Sequence, residues 1–335
     1  MIETTMKTLR SCGLAGAYSA LVRPVGAVIL MYHSVAGADA AEWIDPANRT
    51  APAEFERQME FLAARRAVVS MHSVAEAVRG RVELPTGAVA ITFDDGYLDT
   101  LTHAAPVLAR LKLPATLFLP TAYIDSAEPQ WIDRAYTAFR SRTSHRLDLP
   151  GVLDEPADVS SQFTLGRAYA RLCGALLSAG KSDRSEILER VEGQLRPTAR
   201  PDRTTMNWDD AARLRRQYPL FSIGGHTLTH RDLSACNARE AGDEITGCLE
   251  RIEAVIGERP VHFSFPYGRS SEVSRHAARA AGLEVAVASG SVPRARPGSD
   301  PFRLSRIAAP SSVGALAAFT HPAYPDLPLT LTGHL

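Results

Sequence analysis

The sequence predicts an α/β fold, namely a distorted, TIM-like (β/α) barrel of seven to eight strands with a helical insertion. Short, apolar, β-branched runs alternate with longer amphipathic stretches along most of the chain. The apolar runs lack the strict alternation of a half-exposed sheet, so both faces of each strand are expected to be covered, as in a parallel sheet. Roughly eight strand–helix units follow one another, which is the number that closes a barrel.

The predicted elements follow from this pattern. The candidate strands are Ala27–Met31, Val68–Ser70, Ala88–Phe93, Ala115–Leu119, Phe221–Gly224, His262–Phe265, Glu284–Ala288 and Leu304–Ala308. The candidate helices between them are Pro52–Arg65, Tyr97–Leu111, Asp209–Tyr218, Ala238–Ile256 and Ser271–Ala281. No strand is predicted between Trp131 and Asn207, where the patterns at Thr164–Leu177 and Ser182–Leu195 are helical. We therefore predict a barrel domain at 25–310 with a helical insertion at 134–205, a leading segment at 1–24 and a tail at 311–335.

The composition excludes several classes of function. The 335 residues include 37 Lys plus Arg and 37 Asp plus Glu, so the chain has no basic excess of the kind that nucleic-acid binding requires. Hydrophobic residues make up 45% of the chain, as expected for a globular protein with a sizeable core. The four cysteines form no CxxC pair, which excludes the commonest structural zinc patterns and indicates no disulfide framework.

The leading segment, residues 1–24, is interpreted as an amphipathic helix. Lys7 and Arg10 precede a mildly apolar stretch that faintly resembles a signal peptide, but Ser, Gly and Tyr interrupt it. No apolar run reaches the 18 or so residues of a membrane span. We expect a cytoplasmic protein, or one in peripheral contact with the inner membrane surface, with export as the alternative. The sequence indicates no oligomeric state.

The first chemical motif is the pair Asp94 and Asp95 at the end of the apolar strand Ala88–Phe93, followed by Gly96. Catalytic groups of barrels lie at the carboxyl ends of strands. On an extended backbone, adjacent side chains point to opposite sides, so the two carboxylates are expected to have different roles. The alternative is a helix-capping aspartate followed by a turn glycine.

The second motif places His226 and His230 four residues apart, just after a strand and after Gly224 and Gly225. Two imidazoles and one carboxylate with open coordination positions are a typical set for a catalytic metal. The alternative is a pair of ordinary polar histidines.

Two further strand ends carry candidate groups. Pro266 and Gly268 predict a sharp turn around Tyr267, which can direct a backbone N–H outward to stabilise an oxyanion. His33 ends the first strand and would lie at the same rim. A plain strand-to-helix turn and a structural histidine are the respective alternatives.

Taken together, the motifs resemble the polysaccharide deacetylase family, also called the NodB-homology group or carbohydrate esterase family four. TFDDG at 92–96 is similar to the first family motif, HTLTH at 226–230 to the second and FPYG at 265–268 to the third. LMYHSV at 30–35, Trp131-Ile132-Asp133 and DPFRLSRI at 300–307 resemble the branch that contains exopolysaccharide and poly-N-acetylglucosamine deacetylases. The resemblance extends from about Val28 to about Ile307.

The resemblance implies a distorted barrel, a divalent metal ion, expected to be zinc, and an N-acetylated glycan as substrate. It also implies roles for individual residues. Asp94 would be the general base, His33 the general acid, and the Tyr267 backbone N–H the oxyanion donor. Asp95, His226 and His230 would bind the metal. Trp131, Asp133, Pro266 and Tyr267 would contact the substrate, with Trp131 stacking on a sugar face.

The sequence departs from the family pattern in two places. Many members carry an arginine two residues before the proline of the third motif, where it orients the catalytic aspartate, but this chain has Ser264. The later Leu-x-His motif is also absent. We predict that Arg306 on the last strand replaces the missing arginine by pairing with Asp94; the alternative is that it pairs with Asp300 or caps the barrel end.

Two other functions remain as alternatives. The same fold can hydrolyse other non-peptide C–N bonds, such as those of cyclic amides or ureides. A carbohydrate-binding protein with a vestigial site is the second alternative. A Rossmann dehydrogenase is excluded because no GxGxxG follows a first strand.

Overall fold

A computed structural model describes residues 25–37, 40, 42–199, 203–289 and 294–322. The predicted leading helix at 1–24 and most of the predicted tail lie outside these residues. No helix within the described ranges is long and apolar enough to cross a membrane.

The strands form a closed parallel barrel. In chain order they are β1 (Ala27–Tyr32), β2 (Ala67–Val68), β3 (Ala88–Phe93), β4 (Ala115–Leu119), β5 (Arg146–Leu147), β6 (Ala157–Asp158), β7 (Phe221–Gly225), β8 (His262–Ser264), β9 (Val285–Ala288) and β10 (Leu304–Ala308). Seven of them close the barrel in the order β1-β3-β4-β7-β8-β9-β10, and β10 pairs with β1. The first two residues of β3 pair with β2 and its last two with β4, which makes the barrel irregular. The predicted fold class is confirmed.

Within the described residues, eleven α-helices accompany the strands. They are α1 (Pro52–Arg65), α2 (Met71–Val78), α3 (Ala105–Arg110), α4 (Thr121–Ser126), α5 (Trp131–Arg140), α6 (Gln162–Ser178), α7 (Lys181–Leu195), α8 (Trp208–Gln217), α9 (Ala238–Ile256), α10 (Glu272–Ala280) and α11 (Val313–Phe319). A π-helical turn at Thr100–Ala104 precedes α3. Helices α2, α4, α5 and α11 were not predicted, and α11 lies in the segment predicted as a tail, where Leu316 joins the core.

Alternate residues of the strands face two different cores. Val28, Leu30, Val89 and Ile91 pack outward against helices such as α1. Small residues at the intervening positions, together with Phe118, fill the barrel interior. Met71, Val74 and Val78 of α2 belong to this interior cluster, so α2 closes the amino-terminal end of the barrel. The carboxyl ends of the strands are left for the functional site.

The insertion between β4 and β7 has a hydrophobic cluster of its own, built by α5, α6 and α7. The prediction that it contains no strand was wrong, because Arg146–Leu147 and Ala157–Asp158 form a short antiparallel pair. Two residues per strand are too few to show a periodic pattern in the sequence.

Candidate active site

The aspartate motif lies in a left-handed turn. The Asp94 N–H donates to the Tyr32 carbonyl at 3.0 Å, which holds the turn beside β1. Asp95 and Gly96 follow with φ of 72° and 69°. The positive φ of Gly96 favours glycine, and a Cβ there would also lie 2.6 Å from Ile124 Cδ1. The expectation of an extended backbone with carboxylates on opposite sides was wrong, because left-handed Asp95 brings both groups to one site.

Asp95, His226 and His230 converge as predicted. One carboxylate oxygen and one nitrogen of each ring lie within 4.8 Å of one another, and all three residues are buried. The Asp95 Oδ1 is 3.1 Å from His230 Nε2 and 3.5 Å from His226 Nε2. It is buried and accepts no hydrogen bond from the residues that the structure describes. An unpaired buried carboxylate oxygen between two imidazoles is the arrangement expected of a metal site.

The other nitrogen of each ring is held by the protein. His226 Nδ1 lies 2.7 Å from the Ser264 carbonyl, which can only accept, so Nδ1 carries the proton and Nε2 presents its lone pair. His230 Nδ1 lies 3.0 Å from the Tyr267 hydroxyl. That hydroxyl donates to the His230 carbonyl at 3.3 Å and accepts from Trp131 Nε1 at 2.9 Å. Both rings are thus oriented by second partners, as in protein metal centres.

The charges of the cluster shift its proton affinities. Burial raises the pKa of Asp95, but His230 and His226 outweigh this and hold it well below its usual value. Burial lowers the pKa of His226, but the Asp94 and Asp95 charges more than offset this and raise it. For His230 burial prevails and lowers the pKa. The carboxylate is therefore ionised, as a metal ligand must be.

Asp94 forms a buried ion pair with Arg306, as predicted. The guanidinium Nη1 lies 2.7 Å from Oδ1 and Nη2 lies 2.5 Å from Oδ2. Nη2 also donates to Ser264 Oγ at 2.8 Å, and Ser264 donates to Asp94 Oδ2 at 3.2 Å. Burial raises the pKa of Asp94, but Arg306 and His226 overcome this effect and lower it. Ser264, the departure from the family pattern, leaves room for Arg306 and joins the network.

His33 lies at the same rim. It follows β1, whose Tyr32 is paired with Phe93 of β3, and it is half-buried. A charge on its ring is close enough to lower the pKa of both Asp94 and Asp95. Ser34 Oγ and the Val35 N–H donate to the buried Asp99 at 2.6 and 2.8 Å, which fixes the loop that carries His33.

The third motif also adopts a left-handed turn. Tyr267 has φ 58° and ψ 11° inside a short 3₁₀ turn. A Cβ at Gly268 would lie 2.7 Å from the Ser289 backbone nitrogen, so the chain passes too closely for any side chain there. The turn places the Tyr267 hydroxyl on His230, a contact that the sequence did not predict.

Three of the residues predicted to contact the substrate are largely buried. Trp131 is only 6% exposed, and the Arg184 guanidinium lies over its ring at 5.3 Å, which leaves little surface for stacking on a sugar. Asp133 is 1% exposed and accepts from the Asp45 N–H at 2.9 Å and from the Tyr97 hydroxyl at 2.7 Å. Pro266 is buried in its turn. Trp131 also lines the cavity beside the site, and substrate contact by these residues remains a prediction.

Two functional neighbours were missed in the sequence. Glu244 of α9 accepts from the Thr229 N–H at 2.8 Å and from its hydroxyl at 2.5 Å, which holds the turn between His226 and His230. Arg184 of α7 is 3% exposed and lies near Tyr123 and Tyr267. Both come from helices distant in sequence, and neither belongs to a motif.

A cavity of about 250 Å³ adjoins the site. Tyr123 and Trp131 line it on the barrel side and Arg184 and Leu188 on the side of the insertion. The Tyr123 ring lies 6.4 Å from that of His230. The insertion therefore borders the site, as expected for a loop that leaves from the carboxyl end of a strand.

Comparisons with known proteins agree with this geometry. The family model described as polysaccharide deacetylase matches residues 81–159 and 197–286, just over half of the chain. A search of curated protein sequences found no match.

Solved structures share the fold at low sequence identity. The Streptococcus pyogenes deacetylase PplD in complex with acetate is 15% identical, with a TM-score of 0.59 over 89% of this chain and 99% of that one. IcaB from Ammonifex degensii is 16% identical, with a TM-score of 0.58 over 90% and 98%. A de-N-acetylase from Aggregatibacter actinomycetemcomitans is 17% identical, with a TM-score of 0.53 over 87% and 99%.

Proposed function

The chain belongs to the polysaccharide deacetylase family and is a deacetylase-type hydrolase, and we propose that it removes N-acetyl groups from the amino sugars of a glycan with one divalent metal ion. The observation that carries this proposal is the buried Asp95 Oδ1 between two imidazole nitrogens, beside the separately ion-paired Asp94. Two of the similar structures, a de-N-acetylase and a deacetylase in complex with acetate, support the reaction class.

The donor set fits a metal of the zinc type. Asp95, His226 and His230 would hold the ion through one oxygen and two nitrogens, which leaves coordination positions open. When bound, such an ion acts as a Lewis acid and lowers the pKa of water towards about 7. The hydrogen bonds from Ser264 and Tyr267 fix the ring orientations that this binding needs.

Asp94 is suited to be the general base. Its pKa is held below the ordinary value, so it is ionised and can take a proton from the attacking water. Oδ1 accepts one hydrogen bond from Arg306 and keeps a second lone pair for the proton, whereas Oδ2 accepts from both Arg306 and Ser264. The bidentate pair fixes the carboxylate in one orientation, which proton transfer requires.

His33 and the Tyr267 backbone complete the proposed set. His33 lies near both carboxylates and would donate a proton to the sugar nitrogen as the C–N bond breaks. The Tyr267 N–H, carried by a left-handed turn, would donate to the developing oxyanion. The cavity beside Tyr123 and Arg184 offers room for the sugar next to the reacting acetamide.

Acetate release tests the function directly. The full chain is treated with a chelator, and acetate release from N-acetylglucosamine oligomers is measured before and after zinc is returned. We expect release to be lost in the metal-free protein and restored by zinc. Release that is equal in both states contradicts the metal role. Zinc-loaded protein that releases no acetate but cleaves a cyclic ureide supports the alternative C–N hydrolase, and inactivity on both substrates supports a vestigial site.

A further inference from the structure

A second cluster of metal-ligating side chains lies at the opposite end of the barrel. His72 comes from α2, His262 is the first residue of β8, and Glu284 immediately precedes β9. One ligand atom of each lies within 4.8 Å of the other two. His262 and Glu284 lie at the amino ends of β8 and β9, whereas Asp94 and Asp95 follow the carboxyl end of β3, and the two clusters share no residue.

Two atoms of this cluster are buried without a partner. His262 is 5% exposed, and its Nε2 has no hydrogen-bond partner among the residues that the structure describes. The Glu284 Oε2 is likewise buried and unpaired within the described ranges. Buried polar atoms are nearly always paired with a hydrogen-bond partner. A binding site for an ion is one of the few explanations for an unpaired atom.

The surrounding groups leave these atoms free for a ligand. Arg79 Nη1 lies 3.3 Å from the Glu284 Oε1 and therefore occupies the other oxygen of that carboxylate. The free Oε2 lies 4.0 Å from His72 Nδ1. Burial lowers the pKa of His262 to about 4, so its ring is neutral and carries a lone pair at neutral pH.

The position of the cluster indicates what a bound ion would do. By the two-residue period of a strand, His262 faces the same side of β8 as Ser264, towards the barrel interior. Helix α2 closes this end of the interior through Met71 and Val74. An ion bound by all three ligands would join the closing helix to two strands, and the amino end of a barrel is where stability rather than catalysis is expected.

We propose that His72, His262 and Glu284 form a second, structural site for a zinc-type divalent cation that fastens α2 to β8 and β9. Two nitrogens and one oxygen suit zinc, with water as the fourth ligand. Coordination requires the three ligand atoms to draw closer than 4.8 Å. The His72 side chain is 68% exposed and free to reorient towards the other two.

Zinc stoichiometry tests this site. Metal-free full-length protein is titrated with zinc chloride, and bound zinc and the melting temperature are measured. We expect about two equivalents in the natural protein and about one in His72→Ala, with a smaller zinc-induced rise in melting temperature. His72 is chosen because its exposed side chain can be removed without opening the core. His276→Ala, an exposed histidine of α10 outside both clusters, should keep two equivalents.

A second background separates the two sites. The His226→Ala/His230→Ala protein should still bind about one equivalent of zinc and should lose it when His72→Ala is added. If that background fails to fold, the stoichiometries of the natural protein and His72→Ala decide alone. One equivalent in the natural protein, unchanged in His72→Ala, overturns the second site. If instead the catalytic site binds no zinc, the natural protein should bind about one equivalent, and His72→Ala should lose it. Failure of the proposed function can therefore be distinguished from failure of the second site.

Discussion

The two ends of the barrel each gather two histidines and one carboxylate, but the protein holds them very differently. At the catalytic end all three ligands are buried, and both rings are oriented through their second nitrogens. At the amino end His72 is mostly exposed, and the buried His262 Nε2 has no partner among the described residues. The side chains of the first cluster are held in one orientation by the protein, whereas His72 of the second cluster is free to reorient.

The two ends also differ in backbone conformation, and left-handed residues are concentrated at the end that carries Asp95. The described residues include seven non-glycine positions with positive φ, and four of them, Asp95, Thr227, His230 and Tyr267, belong to the catalytic motifs. Such positions cost about 1–3 kcal/mol each and persist only where the surroundings impose them. The amino-end ligands include none of the seven. Strain therefore accumulates where the geometry of a reaction has to be maintained, whereas a fastening ion requires only ligands within reach.

The largest effect expected from this difference is that of Asp94→Asn. An amide cannot accept the proton of the attacking water, so turnover should fall by about 10²–10⁴-fold. Zinc binding should remain, because Asp94 is not among the three clustered ligands. Steady-state acetate release and metal analysis of the same sample measure the two effects.

Asp95→Asn is the matched control for Asp94→Asn. It changes the neighbouring carboxylate in the same way, but it should reduce bound zinc at the catalytic end together with activity, while the amino-end equivalent is retained. If Asp94→Asn loses zinc as readily as Asp95→Asn, the roles of the two carboxylates have been assigned wrongly.

The sequence was sufficient to predict the barrel and which of the motif residues meet at its rim. Buried parallel strands are continuous apolar runs, so β3, β4 and β10 were located to the residue. The absence of an arginine at Ser264 directed attention to Arg306, and the predicted pair is present. Each motif follows the carboxyl end of a strand, and in a parallel barrel these ends lie together at one rim.

What the sequence did not reveal depends on contacts between distant segments. The left-handed conformation of Asp95 has no signature in an aspartate pair. Arg184 reaches the site from the insertion, and its position follows from the packing of α7. His72, His262 and Glu284 belong to three separate elements and share no motif. Such sites become visible only when the barrel closes.

Arg306→Lys tests whether the catalytic end depends on geometry as well as charge. Lysine keeps the positive charge but cannot reproduce the two parallel hydrogen bonds to Asp94. We expect kcat to fall on the order of tenfold to hundredfold, with KM changed little, because the base is misplaced. Ser264→Ala removes the two hydrogen bonds of the serine hydroxyl but leaves the bidentate pair intact, so it should cost less. Near-normal turnover in Arg306→Lys means that Asp94 is oriented by another group.

Tyr267→Phe tests the second partners that distinguish the two ends. The substitution removes the hydroxyl on His230 Nδ1 and the acceptor of Trp131 Nε1, while the ring remains. Loss of such a partner typically weakens metal binding by about 10–100-fold. Competitive zinc titration should show this loss at the catalytic end only, with the amino-end affinity unchanged. Equal weakening at both ends would mean that the substitution disturbs the whole barrel.

The last prediction concerns stability and the buried acid Asp133. Burial raises the pKa of Asp133 to about 8, far above its unfolded value near 3.8. The folded state therefore keeps a proton that the unfolded state has released, and this group lowers stability as pH rises between the two pKa values. For one proton, the unfolding free energy falls by up to about 1.4 kcal/mol per pH unit, and this fall stops above pH 8.

Asp133→Asn should abolish that slope, since an amide does not titrate. Its oxygen can still accept from the Asp45 N–H, and its NH2 group can donate to the Tyr97 hydroxyl. The unfolding free energies of the natural protein and the variant are compared by urea denaturation from pH 5 to pH 9. The unfolding free energy of the variant should rise relative to that of the natural protein from pH 5 to pH 8. Above pH 8 the difference between the two should stay constant. Asp209→Asn, at the exposed start of α8, is a control for a surface aspartate and should show no such gain. A constant difference between Asp133→Asn and the natural protein across this range would mean that Asp133 is ionised in the fold. Asp133 would then be a buried charge, whereas the buried His262 at the other end of the barrel is neutral.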